Sequence, residues 1–163
     1  MNTKIDLSKI PIFYTTHYEY EIIGVVTVKL SVDLTPDLFS KHDYFNTGIK
    51  LAPSGTTIIV CHQDYAKHMT KNELFAVMCH EYGHILNKHV YNDTGNDQNE
   101  YEADDFAVTL VPKELFLHAL VKTITYIRHR LAIDGPDTFE NNKPFLKRII
   151  DLTVKRINRL DAK

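Results

Sequence analysis

His80-Glu81-Tyr82-Gly83-His84 decides the reading of this chain, with residues 70–79 (TKNELFAVMC) before it and residues 85–89 (ILNKH) after it. Thr70 followed by Glu73 is a capping-box signature, which predicts a helix over 71–89. On such a helix His80 and His84 lie about 40° apart and one turn above the other, so both imidazoles can reach one ion. Glu81 projects about 100° from His80 and 60° from His84, poorly placed to ligate but well placed to take a proton. Zinc at two such histidines would acidify water and polarise a carbonyl while the carboxylate accepts the proton, so the run is a candidate centre for metal-assisted hydrolysis.

The same helix has a broad apolar arc of Leu74, Phe75, Met78, Cys79, Tyr82, Ile85 and Leu86. That arc predicts a core-facing side, leaving both histidines with Glu73, Ala76, Asn87 and Lys88 on the side of a cleft. His89 points about 140° from His84 and reads as a surface or packing residue.

A catalytic zinc takes three protein ligands and keeps one position open. The next helical segment, predicted over 100–111, supplies the third ligand. Ala103, Phe106, Ala107, Leu110 and Val111 define its buried side, with Glu100 and Asp104 within or beside it, while Glu102, Asp105 and Thr109 face solvent. A carboxylate on a buried side is costly unless paired or coordinated, which favours Glu100 over Glu102 as the ligand. Asp104, one turn on, is placed to accept a hydrogen bond from a ligating histidine's other nitrogen. The competing reading has Glu100 closing a capping box with Asp97 and Asp104 an ordinary surface acid.

With 163 residues, 44% of them hydrophobic, the chain can bury one core, and a single domain over 1–163 is expected. The net charge of −2 gives no pull towards nucleic acid or anionic lipid. No signal-like apolar stretch opens the sequence and nothing approaches the roughly 20 apolar residues of a membrane span, so a cytoplasmic location is the expectation. Cys61 and Cys79 read as small buried hydrophobes. β-branched runs at 18–30 and 56–61 predict strands of a small sheet, with a short helix at 35–41 and a short strand at 49–52. A polar turn over 92–99 separates the first two long helices. Two more helices follow, over 112–131 and 144–160, which makes the class α+β. The last has an apolar stripe of Phe145, Ile149, Leu152 and Ile157 and a basic outer face that includes Arg148, Lys155 and Arg156.

The residues now on the page resemble the gluzincin metallopeptidases, in which a glutamate on a later helix completes an H-E-x-x-H site. Glu100-Tyr101-Glu102-Ala103-Asp104 is similar to the E-x-x-A-D motif of the M48 family. Glu102-Ala103-Asp104-Asp105-Phe106-Ala107, with Leu110-Val111-Pro112, resembles the E-A-x-x-F-A-x-x-L-x-x-P run of the ImmA/IrrE (M78) family. Metzincins are excluded, because Val90 stands where their third histidine would be. The resemblance implies a zincin-like fold, in which a small N-terminal sheet packs on the active-site helix and a glutamate helix and C-terminal helices follow. It implies one zinc per chain and endopeptidase activity on a protein or peptide, for ImmA/IrrE a transcriptional regulator. M48 members are commonly membrane-embedded, so the expectation of no membrane span departs from that family and favours ImmA/IrrE or a minimal soluble relative; no direct nucleic-acid contact is expected. The resemblance also implies substrate pairing with an edge strand, for which 56–61 is the candidate. Tyr91, His118, Tyr126 and His129 are available to stabilise an oxyanion. The alternative function is an inactive zincin-like domain that binds a partner around a structural metal. A fourth ligand, such as His62 or Asp97, would favour it.

Overall fold

The computed structural model describes residues 12–15, 24–29, 45–46, 54–89, 97–133 and 143–163. They form an α+β chain with four strands and five helices among them: β1 (Ile12–Thr15), β2 (Val25–Lys29), β3 (Phe45–Asn46), β4 (Thr57–His62), α1 (Gln63–His68), α2 (Lys71–Leu86), α3 (Asp97–Ala107), α4 (Lys113–Ile133) and α5 (Lys143–Asp161). Contacts group the chain into two compact units, Met1–Asp64 and Tyr65–Lys163.

The first unit is a four-stranded sheet in the order β2-β4-β1-β3. β4 pairs antiparallel with β2 (Thr27 opposite Ile59) and parallel with β1 (Tyr14 opposite Cys61), while β3 pairs antiparallel with β1. Gly55, at φ 88°, makes the turn before β4, a conformation that costs glycine nothing. Ile58 through His62 are all buried, as suits a strand hydrogen-bonded on both sides. This corrects the expectation that 56–61 is an edge for substrate: β2 and β1 already use the backbone groups of β4. Of the strand expected over 18–30, residues 25–29 form β2, while 18–23 and 30 lie outside the described residues. The short helix at 35–41 and the strand at 49–52 lie outside the described residues.

The second unit is helical. Thr70 caps α2: its hydroxyl accepts from Glu73 N–H at 3.2 Å and the Glu73 carboxylate accepts from Thr70 N–H at 3.1 Å, a reciprocal cap in which the Thr70 hydroxyl bond is worth about 1 kcal/mol. α2 packs against α3 and α4, and α5 packs against α3 and α4. Ala76 and Cys79 of α2, Ala107, Val111, Phe116 and Leu120 around α3 and α4, and Leu160 of α5 share one buried cluster. Full burial of a side chain the size of Phe116 contributes about 1.5–3 kcal/mol.

The apolar arc expected on α2 needs correction. Phe75 and Leu86 are exposed, Leu74, Tyr82 and Ile85 are half-buried, and the most enclosed positions include Ala76, Cys79, His80 and Gly83. Small residues let the neighbouring helices come close on the histidine side, so bulk alone mislocates the core-facing side. Glu73 is buried as well, because Lys122 and His118 of α4 meet its carboxylate at 2.8 and 3.2 Å. On α5 the buried stripe is Leu146, Ile150, Thr153, Arg156 and Leu160. It is rotated by about one residue from the expected one, and it turns Arg156 inward rather than onto a basic outer face. No described helix is long and apolar enough to cross a membrane.

Candidate metal centre

α2 and α3 bring three side chains together. His80 Nε2 and His84 Nε2 lie 3.0 Å apart, and the Glu100 carboxylate approaches them at 3.2 Å (Oε2 to His80) and 3.3 Å (Oε1 to His84). His80, His84 and Glu100 form a group able to hold a metal ion, His80 buried and the other two half-buried. Donors bound about 2.0–2.1 Å from a tetrahedral zinc sit about 3.3 Å from each other, and one donor atom from each of these residues lies within 4.8 Å of the others, near enough to share one ion. Glu100 turns to the histidines rather than to a cap at Asp97, whose carboxylate lies 3.6 Å from Lys155. Glu81, also buried, has Oε1 4.0 Å from His80 Nε2, beside the triangle.

Asp104 is wholly buried and its Oδ1 lies 2.8 Å from His80 Nδ1, on the far side of the ring from the triangle. Phe116 stacks on the same ring with centroids 5.9 Å apart, so the plane of His80 is held from two directions.

Sequence reasoning missed Arg156. Its guanidinium donates to both Asp104 oxygens, from Nε at 2.9 Å and Nη2 at 2.6 Å, and Nη1 lies 3.2 Å from Glu100 Oε2. The available signal was an arginine three residues after Thr153 and four before Leu160 on the same buried stripe, a position where a charge needs a partner. His89 is a packing residue outside the ligand group, as expected, but its ring does not point away from His84. α2 ends at Leu86, Lys88 takes a left-handed φ of 54°, and His89 N–H donates to the His84 carbonyl at 3.0 Å. That turn carries the His89 ring back to His84, where a continued helix would have carried it away.

These contacts set the charges. Burial and the Arg156 charge oppose protonation of His80, but hydrogen bonds to Asp104 and Glu100 outweigh them and raise its pKa to about 9. Burial pushes Glu100 upward, yet Arg156 and the two histidines hold it well below the usual carboxylate range. Asp104 is lowered against its own burial by Arg156 and His80. Asp104, Glu100 and Glu81 in turn stabilise the charged Arg156 guanidinium against its own burial.

Of the oxyanion candidates, His118 is bonded to Glu73, Tyr126 packs edge-on against Tyr65 at 5.3 Å, and His129 is exposed. Tyr91 lies outside the described residues. Cys61 and Cys79 are fully buried, and burial raises the Cys79 thiol to about 11.

The model of peptidase family M48 matches residues 39–99, a span that holds both histidines and Glu81 and stops one residue before Glu100. The similarity covers less than half of the chain. A search of the curated proteins and of the solved structures finds no match.

Proposed function

We propose that this chain is a zinc-dependent endopeptidase of zincin-like fold that hydrolyses peptide bonds of a protein substrate. The observation that carries the reading is the convergence of His80 Nε2, His84 Nε2 and the Glu100 carboxylate within 3.3 Å of one another, with Glu81 alongside. The match to the M48 model over the same helix supports it.

When bound by His80, His84 and Glu100, zinc supplies Lewis acidity, which acidifies water and polarises the scissile carbonyl. Glu81 accepts a proton from the attacking water on its carboxylate and returns it to the departing amine nitrogen. Asp104 holds the proton of His80 on Nδ1, which leaves the Nε2 lone pair facing the site. Arg156 keeps Asp104 and Glu100 ionised. A protein regulator is the substrate class that the ImmA/IrrE-like run from Glu102 to Pro112 favours.

The test is the metal content of the purified protein, compared with His84→Ala and Glu100→Ala. We expect about one zinc per chain, as a single three-ligand site requires, and its loss in both variants. Wild-type protein that takes up no zinc after reconstitution would overturn the reading.

A further inference from the structure

The two histidines of the triangle differ in what stands behind them. His80 has a buried carboxylate, Asp104, at its outer nitrogen. His84 has another imidazole: its Nδ1 lies 2.8 Å from His89 Nδ1, and His89 Nε2 lies 3.0 Å from Glu102 Oε2. We propose that His89 and Glu102 are positioning residues, which fix the tautomer and ring plane of His84 so that its Nε2 lone pair points into the metal triangle. This rests on the metal-centre reading above.

Counting protons leaves one arrangement. A neutral His84 that offers Nε2 to an ion carries its single ring proton on Nδ1, so it must donate to His89. His89 Nδ1 then accepts, which places the His89 proton on Nε2, opposite an ionised carboxylate that can only accept. Every link in the chain from Glu102 through His89 to His84 is thereby satisfied with both rings neutral. The opposite tautomer of His84 would leave two lone pairs facing each other, either between the two rings or between His89 and Glu102.

The backbone supports the same arrangement. His89 N–H is bonded to the His84 carbonyl, so both the main chain and the ring of His89 are tied to the residue they orient. The two rings meet at 68° with centroids 5.0 Å apart, a geometry that aims nitrogen at nitrogen rather than stacking the faces. At the outer end, Gln98 Nε2 donates to the second Glu102 oxygen at 3.1 Å and holds the carboxylate towards His89. The His89 side chain is 9% exposed and Glu102 45%, so the relay runs from the surface to the triangle.

The experiment measures zinc affinity of the full chain by competition with a chromophoric chelator, for wild type, His89→Phe, His89→Gln and Glu102→Leu. Long-range proton–nitrogen spectra of the histidine rings in zinc-loaded wild type accompany it. We expect His89→Phe and Glu102→Leu to weaken zinc binding about 10–100-fold. His89→Gln should recover most of that loss, because an amide both accepts and donates. The spectra should show His89 with its proton on Nε2 and His84 with its proton on Nδ1. Wild-type affinity in His89→Phe, a His89→Gln variant no better than His89→Phe, or a His89 proton on Nδ1 would each overturn the relay. If His89→Phe fails to fold, Glu102→Leu at its exposed position and the wild-type spectra still decide. Failure of wild type to bind zinc would overturn the metal centre and the relay with it. Normal wild-type binding with an unaffected His89→Phe overturns the relay alone.

Discussion

A Cβ on Gly83 would lie 3.0 Å from the Ala103 Cα and 3.1 Å from its carbonyl oxygen, so hydrogen is the substituent that fits between α2 and α3. Ala103 stands between Glu100 and Asp104, and the spacing set at Gly83 therefore also sets how far those carboxylates reach. Gly83→Ala gains up to about 1 kcal/mol of helix propensity but loses about 1–3 kcal/mol to overpacking. We expect a lower melting temperature together with weaker zinc binding. A variant as stable as wild type with unchanged zinc affinity would show that the crossing relaxes freely.

Arg156→Met strips the buried Asp104 of the guanidinium that bonds both its oxygens, leaving His80 at one of them, and should cost about 3–5 kcal/mol in urea unfolding. Arg156→Lys should restore little of this, since one ammonium cannot make the forked contact to both oxygens. Combining Arg156→Met with Asp104→Asn should cost less than the two losses added together, because the residues share one interaction. Simple additivity would mean that the pair is not coupled.

Glu81→Gln removes the proton acceptor and leaves the triangle intact. Zinc content should match wild type, while hydrolysis of a cleavable protein falls about 10²–10⁴-fold. Undiminished hydrolysis would take Glu81 out of the reaction.

Glu73 supplies a pH dependence remote from the triangle. Burial raises its pKa, but Lys122, Thr70 N–H and His118 outweigh burial and bring it below the ordinary 4.5. A folded-state value that is depressed gives stability that is complete above the unfolded pKa and is lost as pH falls through the folded one. Glu73→Gln keeps an acceptor oxygen for the cap and removes the charge. It should be less stable than wild type at neutral pH, with the gap closing as the pH drops below about 4. Parallel stability curves for the two proteins would remove Glu73 from the acid response.

Local pattern accounts for what the sequence disclosed. The cap at Thr70, the one-turn spacing of His80 and His84, and the small residues between the carboxylates of α3 are all written within a few residues of each other. Within residues 100–107 the wheel holds for Ala103, Asp104 and Ala107, which are buried, and for Glu102, which is exposed, while Asp105 and Phe106 are both half-buried. β1 and β3 went unread because strands of four and two residues are too short to show an alternation. Arg156 was placed on the outer face because its reason to be buried is Asp104, on another helix, and nothing near it in the chain advertises that partner. The direction of the His89 ring was misjudged because a wheel holds only while the helix lasts, and the turn at Lys88 ends it.

Asp104 and Arg156 are 52 residues apart in the chain, and that separation orders events during synthesis. Both histidines and Glu100 leave the ribosome well before the guanidinium that balances the carboxylates behind them. A growing chain with α2 and α3 in place holds all the proposed metal ligands and still lacks the Arg156 guanidinium, which arrives with α5. A proteolytic nick between α4 and α5 followed by loss of the last helix would remove that guanidinium while leaving every proposed ligand in the chain.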